Sequence, residues 1–99
     1  MSKYLIQVIL HNADAATAYD GLNAAMIKKG FMRELPGKKA SYHLPIGTYW
    51  FAGEGNPNDL RLSAAAAAES TGEDFGIIVI RADGWSIMRL KKVHATPQV

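Results

Sequence analysis

Six basic side chains crowd into residues 28–43: Lys28, Lys29, Arg33, Lys38, Lys39 and His43. Tyr42, Tyr49 and Trp50 interleave with them or follow closely. This mixture suits single-stranded RNA, where cations neutralise phosphates and flat rings stack on unpaired bases. The plainer reading is a solvated helix end and a charged turn, with the rings in ordinary cross-strand packing. A second basic set, Arg81, Arg89, Lys91, Lys92 and His94, divides between the same two readings, RNA contact or simple solubility.

Other chemistries find less support. His11, His43 and His94 have the residue type for metal-independent acid–base cleavage, because imidazole titrates near neutrality. Their separation in the chain gives no reason for two of them to converge, and a catalytic set stays unassigned. Asp14, Asp20, Glu54, Asp59, Glu73, Asp74 and Asp83 are scattered, so no metal site is expected. Gly53-Glu54-Gly55 lacks the third glycine and the following Lys or Ser/Thr of a phosphate loop, and no cofactor is expected. There are no cysteines, which removes disulfides, thiolate metal sites and thiol nucleophiles.

The elements that must hold these residues are legible from periodicity. Residues 4–11 read as a strand apolar on both faces, with Tyr4, Ile6, Val8 and Leu10 on one and Leu5, Gln7, Ile9 and His11 on the other. Residues 15–29 read as a helix whose stripe is Ala15, Ala18, Tyr19, Leu22, Ala25 and Met26, with Asn12 or Asp14 as cap and Gly30 as stop. Strands follow at 31–35, 40–44 and 48–52, separated by a turn at Pro36-Gly37-Lys38-Lys39 and a break at Pro45-Ile46-Gly47. Asn56 or Asn58 caps a second helix that carries Leu60, Ala64, Ala67 and Thr71 on one side. Residues 75–82 form another apolar strand, and Asp83-Gly84 predicts a hairpin returning as a strand at 85–90.

The element order is that of the ferredoxin-like βαββαβ sandwich, an α+β class, with an extra C-terminal hairpin strand. Ninety-nine residues allow one domain, read as 1–92, with 93–99 as a flexible tail. The most apolar strands, 4–11 and 75–82, are expected to be the central pair. Two helices cover only one face of such a sheet. The other is apolar at Leu5 and Ile9, so these residues are expected to form a homodimer interface. No stretch is long and apolar enough for a membrane helix, and Met1-Ser2-Lys3-Tyr4 lacks the features of a signal peptide. The expectation is a cytoplasmic protein that starts at Met1 and has no membrane partner.

Three stretches carry a family resemblance: Tyr4-Leu5-Ile6-Gln7-Val8; residues 22–31; and Tyr42-His43-Leu44-Pro45 with Gly47 and Tyr49. It continues through the alanine-rich helix into residues 75–80. In these the chain resembles the GhoS-type antitoxin endoribonucleases and their phage and prophage relatives. The resemblance implies a ferredoxin-like fold similar to that of the small CRISPR-associated nucleases. It also implies binding or cleavage of a toxin messenger RNA in the bacterial cytoplasm. Those nucleases carry an acidic residue at the end of the first strand. Here that strand ends in Leu10-His11, and the nearest acid is Asp14. The RNA-contacting residues expected are Lys28, Lys29, Arg33, Lys38, Lys39, Tyr42 and His43. The rival expectation is a non-enzymatic dimeric protein-binding module of phage or mobile-element origin.

Overall fold

The computed structural model describes residues 2–11 and 15–93. The elements are β1 (Ser2–His11), α1 (Ala15–Lys28), β2 (Glu34–Pro36), β3 (Ser41–His43), β4 (Thr48–Gly53), α2 (Pro57–Glu69) and β5 (Asp74–Arg81). They make an α+β fold with two helices on an antiparallel sheet of order β4-β1-β5 and a separate β2-β3 hairpin. Met32 bridges Trp50 through reciprocal 2.8 Å backbone bonds on the free side of β4.

Strict alternation in β1 sets the layers. Tyr4, Ile6, Val8 and Leu10 are buried against Tyr19, Leu22 and Met26 of α1 and Leu60, Ala64, Ala67 and Ala68 of α2. Ala18, Tyr19, Leu22, Ala25, Met26, Leu60, Ala64 and Ala67 of the expected stripes pack in or against the core, and Ala68 joins them. Thr71 instead lies in the turn after α2, and the Ala15 side chain is outside those described. The alanines remove side-chain bulk where α2 crosses β5 and β1, so the helix can sit close to the sheet. Asn56 caps α2 by accepting from the Asp59 N–H at 2.9 Å, with Pro57 at the first helical position. α1 closes on a Schellman pair, Phe31 N–H to the Met26 carbonyl and Gly30 N–H to the Ile27 carbonyl.

Three sequence expectations change. First, β1 alone is central, and β5 lies at the sheet edge. Its second apolar face is therefore not buried between strands: Ile78 and Ile80 are about half exposed. Second, residues 85–90 do not return as a hairpin strand. The Ala82 N–H still donates to the Lys3 carbonyl, after which the chain leaves the sheet. Trp85 meets Trp50 edge-on at 4.8 Å, and the Lys3 ammonium lies 5.4 Å over the Trp85 ring. Aromatic packing on the open sheet face takes the place of a two-strand ladder, which by itself is marginal in water. Third, Val93 is not loose: its N–H donates to the Ser41 carbonyl at 2.9 Å. The rest of the expected tail lies outside the described residues, as do Asn12, Asp14 and His94.

The open face is consequently not bare. Leu35, Leu44 and Trp50 form a second buried cluster with Leu5 and Ala82 packed against it. A groove of about 400 Å³ remains between this cluster and the crossing segment, lined by Leu5, Leu35, Trp50, Ile80, Trp85 and Ile87 among others.

Candidate functional site

The basic residues singled out from the sequence divide between the two layers. Lys28 and Lys29 end α1, exposed beside a shallow cleft between the helices. Lys38 and Lys39 are exposed at the tip of the β2-β3 hairpin, whose Leu35 packs on the opposite sheet face. Sequence proximity does not carry over because the chain changes faces between Phe31, in the main core, and Leu35, in the second cluster.

Arg33 is occupied within its own chain. Its guanidinium donates to the carbonyls of Pro45 (2.9 Å), Thr48 and Leu44 (2.8 Å). Three of its five N–H donors are thus spent on the 44–48 turn, and the group is half-buried, 5.4 Å over the Tyr49 ring. It serves as a strut of this turn, with two N–H donors left over. Tyr49 and Trp50 are likewise removed from the surface, one in each buried cluster.

The C-terminal segment supplies what the sequence reading assigned to a separate set. The His43 N–H donates to the Lys91 carbonyl at 2.8 Å, and Tyr42 bridges Lys92 antiparallel. Residues 91–93 therefore extend the hairpin as a third extended segment beside β3. Cross-strand register puts Glu34, His43 and Lys91 in one exposed row and Leu35, Tyr42 and Lys92 in the next. Glu34 is the single acid within 32–44, and 85–93 contains none. The hairpin and the segment beside it are thus rich in exposed basic residues, Lys38, Lys39, His43, Lys91 and Lys92. Adjacent rows face opposite ways, so His43 and Lys91 lie on one face and Lys92 with the half-buried Tyr42 on the other. Nothing local in the sequence reports this junction, because fifty positions separate Tyr42 from Lys92.

Among the described residues nothing pairs the candidate acid–base histidines. His11 is exposed at the end of β1, opposite Asp74. Six residues of strand, about 20 Å, separate it from Leu5, the β1 residue on which the hairpin cluster packs. Among the described residues no three His, Asp or Glu side chains are grouped to hold a metal ion. Of the dimer residues expected, Leu5 packs inside its own chain, and Ile9 stays more than half exposed.

No family model, curated protein or solved structure matches this chain. No helix among the described residues is long and apolar enough to cross a membrane.

Tyr49 reports on how tightly the site's scaffold is packed. Burial pushes its phenol from the usual 10 up to about 12, against the opposing pull of the Arg33 charge. Its hydroxyl donates to Asn23 Oδ1 at 2.5 Å. The folded state holds this phenol neutral while the unfolded chain ionises it near pH 10. Stability is therefore unaffected by this group below pH 10 and falls as the pH rises from 10 toward 12. Urea midpoints measured across that window should drop, and Tyr49→Phe should flatten the drop.

Proposed function

We propose that this chain is an antitoxin-type RNA-binding protein acting in the cytoplasm, with the β2-β3 hairpin and residues 91–93 as its single-stranded RNA surface. One observation carries the reading: the backbone at Lys91 and Lys92 pairs beside Tyr42 and His43, on the same hairpin whose tip carries Lys38 and Lys39. Four lysines and an aromatic ring on one short three-segment sheet supply the two kinds of group, cation and flat ring, that bind single-stranded nucleic acid. The antitoxin role rests on the resemblance in residues 4–8, 22–31 and 42–49. We also read the architecture as ferredoxin-like. Supporting this are the order β4-β1-β5, two helices on one face, and the Met32–Trp50 bridge where the fourth strand would lie beside β4.

Fluorescence anisotropy with a mixed single-stranded RNA pool tests it. If the four lysines neutralise four phosphates, log K should fall with log salt with a slope of about −3. Replacing Lys38, Lys39, Lys91 and Lys92 with Glu should reduce affinity at least about tenfold and flatten that slope. Lys28→Glu/Lys29→Glu, on the helical layer, should change it little. Absence of salt-dependent binding would sink the reading, and equal losses from the two sets would move the site.

The rival reading, a non-enzymatic dimeric module, draws on a different feature. Ile9, Ile78 and Ile80 are each about half exposed on one sheet face.

A further inference from the structure

The edge of β5 presents a self-complementary surface, and its chemistry can be read from the register. The Ala82 N–H donates to Lys3 in β1. Alternation then points the backbone groups of Ile80, Ile78 and Gly76 toward β1, and those of Phe75, Ile77, Val79 and Arg81 outward. Among the described residues no backbone hydrogen bond reaches that outward edge. The strand carries neither proline nor lysine, two of the devices that usually protect an edge from pairing.

We propose that two copies of this chain pair antiparallel through β5, centred on Ile77, to make one continuous six-stranded sheet. A two-fold axis perpendicular to the sheet requires a residue at the centre to oppose itself, so Ile77 and Ile78 are the natural centres to compare. Centring on Ile78 sets Glu73 against the partner's Asp83, a like-charge pair at both ends. Centring on Ile77 sets Glu73 against the partner's Arg81 at both ends instead. It also sets Gly76 opposite the partner's Ile78, where the missing side chain leaves room for the isoleucine. Charge thus selects the Ile77 register. Arg81 is available for the exchange: its present contact with Asp83 is long, 3.9 Å, between side chains 64% and 89% exposed. The pairing brings the exposed Ile78 of both copies together diagonally at the centre, while each Ile80 lies opposite the partner's Asp74. The interface lies at the sheet edge and does not use Leu5, which is packed within its own chain.

Sedimentation velocity and light scattering on the full chain test this. The wild type should run at twice the 10.8 kDa chain mass. Arg81→Glu converts both end pairs to Glu against Glu and should weaken the dimer about tenfold. Glu73→Arg/Arg81→Glu swaps the charges and should restore it. A wild-type monomer at the highest soluble concentration would overturn the proposal. So would a dimer indifferent to Arg81→Glu, or a charge-swapped variant as weak as the single one. RNA binding is read separately, so either result leaves the hairpin surface to its own test.

Discussion

Gly47→Ala should lower the unfolding free energy by about 3 kcal/mol or more, measured by urea denaturation. Gly47 has φ +77°, a conformation that costs an L-residue roughly 1–2 kcal/mol. A Cβ there would also overlap the Val8 carbonyl oxygen and sit 3.2 Å from the Tyr19 ring. Neither neighbour can give way cheaply. Val8 is in the central strand and its N–H donates to the Gly47 carbonyl at 2.7 Å. The Tyr19 hydroxyl accepts from the Leu10 N–H, so its ring is held from both ends. Gly72→Ala is the matched control. Its φ is +76°, yet nothing lies within 4 Å of the added carbon. It should show only the backbone cost, about 1–2 kcal/mol. Equal losses from the two variants would remove the steric part of the argument.

Arg33→Ala should cost about 3 kcal/mol, because it withdraws a charged donor from three carbonyls of the same turn. Arg33→Lys keeps the charge but loses the planar fork, and should recover about half of that. The RNA assay separates this role from phosphate contact. At a temperature where the variant is still folded, its RNA affinity should match the wild type within about twofold. A large loss in the folded variant would return Arg33 to the binding surface. The turn matters beyond its own stability, because residues 44–48 connect the hairpin that carries Lys38, Lys39 and His43 to β4 of the main sheet.

The sequence by itself determined both helices, the strands through β5 and one face of the sheet. Alternation in β1, the 3.6-residue stripe of Tyr19, Leu22 and Met26, and the Asn56-Pro57 cap are local signals. Each depends on residues within a few positions of one another, and each was legible. The surface chemistry was only partly legible. Lys38, Lys39, Tyr42 and His43 could be found as a cluster, since a hairpin keeps sequence neighbours together in space. Arg33 could not be separated from them, because a guanidinium reads the same in sequence whether it meets phosphate or three backbone carbonyls.

Tertiary structure decided the remainder. Asp83-Gly84 predicts a hairpin, yet Trp85 finds Trp50, and the chain crosses the open face to bring Lys91 and Lys92 beside Tyr42. Contacts across thirty-five and fifty positions leave no trace in local periodicity. They are chosen by which apolar surface remains uncovered once the helices have taken the other face. The same competition turned the expected dimer face at Leu5 into an internal cluster and left β5, first read as a central strand, as an exposed edge.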